Sequence, residues 1–248
     1  MAKKTRKNRK DNNIVHPAFE SSDQGSGWHP LDDDINGRRD QKYVKNIKPR
    51  SDGQAELMKA IDTHSLSLAI GPAGTGKTYI AIAKAAEALE KGSIERIILS
   101  RPAMEAGESL GYLPGDMAEK MAPYLRPLYD CLGDRMGGKK VRQYIEDGTI
   151  EIAPIGFMRG RTLNNSFVVI DEAQNCTYGQ LKMILSRLGW HSTMVITGDP
   201  RQSDLLEGMS GLDDISKRLD AVPNIAVCRL SNGDIVRHPL VAEMLDVL

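Results

Sequence analysis

Gly71-Pro72-Ala73-Gly74-Thr75-Gly76-Lys77-Thr78 decides the fold of this chain. Glycine, four residues, then Gly-Lys-Thr is the spacing of a loop that wraps phosphates. The glycines let backbone N–H groups turn inward and face an anion. Lys77 is spaced to set its ammonium against the outer phosphates, and Thr78 to offer its hydroxyl to Mg2+. Outward from the loop, Leu66 to Ile70 reads as a short buried strand, and Tyr79 to Lys91 as an alanine-rich helix ended by Gly92. That helix would aim the positive end of its dipole at the same anion. A chance glycine-rich turn would need neither flank, so the stretch reads as a nucleotide phosphate site.

Beyond this helix the alternation continues. Arg96 to Ser100, Phe167 to Asp171, Thr193 to Thr197 and Asn224 to Leu230 read as strands. Tyr178 to Leu188, Leu212 to Leu219 and a short His238 to Leu245 read as helices. Strands and helices in turn predict an α/β fold with a mostly parallel sheet flanked by helices. Pro102 to Asn165 is long for one connection and reads as a helical insertion. Met117, Met121, Leu125, Leu128 and Leu132 recur there at helical spacing, and Pro123 and Pro127 are expected to split the stretch into two short helices. A helix over Lys139 to Asp147 and a small strand over Thr149 to Ala153 follow. The insertion has two readings: ordinary packing on the sheet, or a surface shaped for a substrate or a neighbouring subunit.

Composition bounds the rest. Lys plus Arg equals Asp plus Glu at 33 each in 248 residues, so net charge points to no partner. A hydrophobic content of 40% supports a core yet leaves room for an unstructured part. Residues 1–48 read as that part, a disordered basic and polar tail. Lys3, Lys4, Arg6, Lys7, Arg9 and Lys10 form a basic run, and Asp32-Asp33-Asp34 an acidic patch. The basic run is open to two readings, an electrostatic arm for nucleic acid and a plain solvated terminus. Residues 49–248 read as one domain. Cys131, Cys176 and Cys228 are scattered, without any Cys-x-x-Cys. That pattern points away from a disulfide framework or a zinc site and towards a reducing, cytoplasmic setting. No apolar run approaches the ~18 residues of a membrane span.

Several residues then gather around the phosphate loop. The run Val168-Val169-Ile170 delivers Asp171 and Glu172 to the carboxyl edge of the sheet, where ligands of such sheets bind. Asp171 is placed to hold Mg2+ beside Thr78, and Glu172 to polarise an attacking water. The plainer reading is two acidic residues at a helix start. Gln202, at the end of Thr197-Gly198-Asp199-Pro200-Arg201-Gln202, can both donate and accept hydrogen bonds. It is a candidate bridge between terminal phosphate and water, or a residue of an ordinary turn. Gln54 reads either as a contact to the adenine edge or as a surface glutamine. Arg237 reads either as an arginine on a terminal phosphate, its own or a neighbour's, or as part of a charged turn. Arg101, Arg159 and Arg161 are candidates for nucleic-acid phosphates or simply solvated.

These residues, with Arg101-Pro102-Ala103, Glu105-Ala106-Gly107-Glu108, Leu110 to Asp116, Tyr124 to Asp130, Phe157 to Leu163, Asp171 to Asn175, Gly198 to Gln202 and Val236 to Pro239, resemble the PhoH family of ATPases. The resemblance covers about Ser51 to the C-terminus. It implies a RecA-like P-loop core related to superfamily 1 helicases, with ATP and Mg2+ as cofactors. It also implies a ring-shaped homo-oligomer, of which a hexamer is one form, and a link to RNA metabolism or phosphate starvation. Some relatives carry a PIN nuclease domain ahead of this core; here a short polar tail stands ahead of it, so nuclease activity is not implied. There is no sign of a second RecA-like domain, so if the chain moves along a strand a second subunit must supply the other side of the nucleotide site. Two functions are therefore expected to compete. One is a Mg2+-dependent ATPase coupled to single-stranded RNA or DNA. The other is a nucleotide-switched binding protein with slow hydrolysis.

Overall fold

The computed structural model describes residues 47–102 and 117–236, with side chains from Leu125 onward in the second stretch. Among the described residues, six strands form one sheet: β1 (Leu66–Ile70), β2 (Arg96–Ser100), β3 (Ile150–Ile152), β4 (Ser166–Ile170), β5 (Thr193–Gly198) and β6 (Ile225–Arg229). Their order is β3-β2-β4-β5-β1-β6 and every pairing is parallel. β1 and β4 are buried at all five positions, which explains why they read as unbroken apolar runs rather than alternating ones.

Helices cover both faces. Alternate strand residues (Ala69, Ile97, Leu99, Phe167, Val169 and Val195) face one cluster with α1 (Asp52–Thr63), α2 (Lys77–Glu90), α3 (Met117–Met136) and α4 (Gly138–Glu146). Their neighbours Leu68, Ile70, Ile98, Val168, Ile170 and Ile196 face the other, with α5 (Tyr178–Leu185) and α6 (Leu212–Leu219). The α/β class with a parallel sheet and a helical insertion is as expected.

Two elements differ from the reading of the sequence. α1 is an addition to it, with Ser51 as its cap, accepting from the Gln54 N–H at 3.2 Å. α3 is one helix of 20 residues that runs through Pro123 and Pro127 instead of breaking there. A proline inside a helix costs about 3 kcal/mol. Burial of Leu125, Leu128, Tyr129, Leu132 and Met136 along its core face offsets that. Of the expected tail, residues 1–46 lie outside the described residues, and Ile47 packs against the core; the segment Ala103–Asp116, the helix His238–Leu245 and Arg237 also lie outside them.

Candidate nucleotide site

β1 ends at Ile70, which pairs with Gly198 of β5 on one side and Arg229 of β6 on the other. The phosphate loop therefore leaves the sheet edge between the segments that follow β5 and β6. Its Gly71 N–H donates to Gly198 O at 3.2 Å. A Cβ on Gly71 would meet Leu230 O at 2.5 Å, so no larger residue fits. Gly74 and Gly76 adopt φ of 84° and 81°, the left-handed turn that starts α2. Thr75 Oγ1 closes the loop on Pro72 O at 2.9 Å, and Ala73 lies between them.

Lys77 is buried and curls over the loop, with Nζ 2.6 Å from Gly71 O and 2.8 Å from Pro72 O. Burial pulls its ammonium below the ordinary lysine value, against the opposing pull of Asp199, Glu172 and Asp171. A buried cation resting on loop carbonyls suits a site that receives an anion, and the carboxylates around it suit a cation held beside that anion.

Asp171 is 3% exposed. Its Oδ1 accepts from Thr78 Oγ1 at 2.5 Å and from Thr197 Oγ1 at 2.7 Å. Its backbone N–H donates to Ser100 O at 2.8 Å. A hydroxyl and a carboxylate in contact are the hard oxygen donors that Mg2+ takes, and Mg2+ would draw its other ligands from phosphate and water. The donor set fits that ion. Among the described residues, no group of three or more His, Cys, Asp and Glu forms a metal cage.

Glu172 sits in the left-handed region at φ 52°, a conformation uncommon for glutamate and frequent at functional turns. Gln174 Nε2 donates to its Oε2 at 2.6 Å, and Arg101 Nη2 lies 3.4 Å from its Oε1. Arg101 Nη1 is 3.8 Å from Asp171 Oδ2, so the guanidinium spans both carboxylates. Gln174 also accepts from the Asp199 N–H at 3.1 Å, tying Glu172 to the turn after β5. On that turn Gln202 is exposed, its backbone N–H bonded to Asp199 O at 3.0 Å.

Gln54 is 6% exposed, so it is not a surface glutamine. Its Nε2 donates to Thr75 O at 2.9 Å and its Oε1 accepts from the Arg50 N–H at 2.9 Å. Arg161 grips Glu151 through both terminal nitrogens, at 2.5 and 2.7 Å, rather than standing solvated. Arg159 is exposed. The structure thus brings Lys77, Thr78, Asp171 and Glu172 together. It also adds Thr197 and Gln174, to which the sequence alone assigned no role. Both fall inside stretches already singled out, but their contacts depend on β5 lying between β4 and β1.

A parallel sheet with a glycine-rich phosphate loop after an inner strand, and a buried aspartate bonded to the loop's threonine, is a RecA-like P-loop nucleotide-binding domain. The model of the family described as PhoH-like protein matches residues 46–248, and the chain belongs to that family. It is 52% identical over 203 residues to a PhoH-like protein of Bacillus subtilis, covering 82% of this chain and 64% of that one. It is 45% identical over 210 residues to Protein PhoH of Escherichia coli, covering 84% of this chain and 59% of that one. The chain therefore spans about six-tenths of the length of these relatives. Among solved structures, it is similar to the large terminase of a thermophilic bacteriophage, at 11% identity and a TM-score of 0.48, over 80% of this chain and 50% of that one. It is also similar to a Sulfolobus solfataricus SWI2/SNF2 ATPase core, at 16% identity and a TM-score of 0.46, over 83% and 52%.

Proposed function

We propose that this chain is a Mg2+-dependent ATPase that couples hydrolysis to single-stranded RNA or DNA, working as a ring-shaped homo-oligomer. The observation that carries the hydrolytic reading is the contact of Thr78 with Asp171, with Glu172 as the next residue. Bound Mg2+ would neutralise developing charge on the phosphates. Thr78 and Asp171 would hold it there. Lys77 exchanges its loop carbonyls for the outer phosphate oxygens. Glu172 takes a proton from the attacking water. Gln202, exposed on the neighbouring turn, positions that water against the terminal phosphate. Gln54 is the candidate contact for an adenine edge, which would have to replace one of the bonds its amide makes to Thr75 O and the Arg50 N–H. Arg237, from the same or a neighbouring subunit, adds charge to the terminal phosphate. Nucleic-acid coupling is supported by the family resemblance to helicase-type ATPases. Phe157, 52% exposed, offers a face on which a base could stack, two residues along the chain from the exposed Arg159.

Phosphate release with and without single-stranded RNA and DNA tests this reading. Glu172→Gln is expected to abolish hydrolysis while ATP still binds; unchanged turnover would remove Glu172 as the base. A strand panel that neither binds nor alters the rate would end the coupling claim. The second reading, a nucleotide switch with slow hydrolysis, is favoured by one feature: Gln174 and Arg101 already engage both Glu172 oxygens. Slow turnover together with ATP-dependent assembly would select it.

A further inference from the structure

Two carbonyls of the phosphate loop are held from outside by segments distant in sequence. Gln54 Nε2 donates to Thr75 O at 2.9 Å, and the Val236 N–H donates to Gly74 O at 3.0 Å. A trans peptide is planar, with its C=O and N–H pointing in opposite directions. Pulling the Gly74 carbonyl outward therefore turns the Thr75 N–H inward, and pulling the Thr75 carbonyl outward turns the Gly76 N–H inward. Those N–H groups are among the ones a phosphate chain would meet.

Both clamps converge on Asp234, 9% exposed. Its Oδ1 accepts from the Gly53 N–H at 3.2 Å, next to Gln54 in α1. Its Oδ2 accepts from the Ser231 N–H at 2.7 Å and Ser231 Oγ at 3.1 Å, fixing the short turn that carries Val236. A Cβ on Gly53 would lie 2.6 Å from Asp234 Oδ1, so the glycine marks how closely the two segments meet.

We propose that Asp234 is a positioning residue for the nucleotide: it joins α1 to the segment after β6, and through Gln54 and Val236 it orients the peptide planes of the phosphate loop. This rests on the nucleotide-site reading above, but on affinity rather than on hydrolysis.

The test is calorimetric titration of the full chain with ADP and Mg2+, beside ATP turnover. Asp234→Ala is expected to weaken ADP binding about tenfold, the effect of one lost charged hydrogen bond. Turnover at saturating ATP should change little, as when ground-state and transition-state binding fall together. Gly53→Ala, which keeps the carboxylate but forces it aside, should weaken ADP binding similarly. The double variant should bind no worse than Asp234→Ala, because the clash is gone. Asp234→Asn, which keeps one acceptor oxygen, carries the test if the alanine variant fails to fold. Asp62→Ala is the control: it loses the 2.6 Å ion pair to Lys84 at the other end of α1 and should lower stability without moving ADP affinity. Unmoved ADP affinity in Gly53→Ala and Asp234→Asn, with only stability lowered, overturns the proposal. Shifted ADP affinity in a chain that hydrolyses nothing would uphold it and sink the ATPase reading.

Discussion

Gln174 is a second residue whose loss should be felt beyond its size. It is 2% exposed and both ends of its amide are used, at 2.6 Å to Glu172 Oε2 and 3.1 Å from the Asp199 N–H. Gln174→Ala strands that N–H in a residue only 6% exposed, at a cost of about 1–3 kcal/mol. The Glu172 bond adds less, because that side chain is 37% exposed and water can take over; about 0.5–1 kcal/mol is left after that discount. The sum, about 1.5–4 kcal/mol, should appear as an earlier midpoint in urea unfolding. Turnover should suffer independently. A positioned base contributes about 10²–10⁴ in rate, and Glu172 loosened rather than removed should forfeit on the order of a tenth of that. Phosphate release at saturating ATP is therefore expected to fall at least tenfold, with KM nearly constant. Gln174→Glu keeps an acceptor for the Asp199 N–H but sets a second buried carboxylate against Glu172, so both stability and turnover should fall. Wild-type turnover in Gln174→Ala, alongside the loss of stability, would refute the view that this amide orients the base.

Two further outcomes follow from titrating groups. Burial pushes the thiols of Cys131 and Cys176 up to about 12 and that of Cys228 to about 11, so iodoacetamide should modify none of them at mildly alkaline pH until the chain unfolds; rapid labelling of the folded protein would contradict this. The Ser231 N–H, and next the Ser51 hydroxyl, hold the Asp234 carboxyl below its ordinary 3.8. Its stabilising effect is therefore complete above that value and lost as pH falls through the depressed folded one. The stability gap between wild type and Asp234→Asn should thus be constant near neutrality and shrink only in acid, and a gap unchanged far below the ordinary carboxyl value would argue against it.

What could be read in the sequence was local chemistry. The phosphate loop is eight contiguous residues with a fixed spacing, and the strands are contiguous apolar runs because both faces of the sheet are covered. Asp171 and Glu172 are visible because they end such a run. α1 is less visible: Leu57, Ala60 and Ile61 are buried among many polar neighbours, although the Ser51 cap is there to see. The continuity of α3 is not legible, because local proline chemistry argues for a break and only tertiary packing overrides it. The contacts of Thr197, Gln174 and Gln54 are hidden for another reason. Those of Thr197 and of Gln174 with Asp199 depend on which strands are neighbours, and the order β4-β5-β1-β6 is not the order of the chain, while those of Gln54 depend on how α1 packs against the loop.

That strand order also changes what the phosphate loop is. Ile70 aligns with Gly198 and with Arg229, so the loop emerges between two other segments at the same height. On one side Gly71 bonds to Gly198. On the other, Leu230 O leaves no room for a side chain at Gly71, and Val236 holds Gly74. Gln54 fixes Thr75 from α1. The loop's peptides are thus held by three segments outside the loop, not by its glycines alone. Glycine permits the conformation but equally permits others, at an entropic cost. The same eight residues grafted between an unrelated strand and helix would keep the spacing of the motif and lose the bonds that select one orientation of each peptide. Phosphate affinity in this chain should accordingly follow the integrity of Gln54, Gly198 and the Ser231–Val236 segment as closely as that of the loop itself.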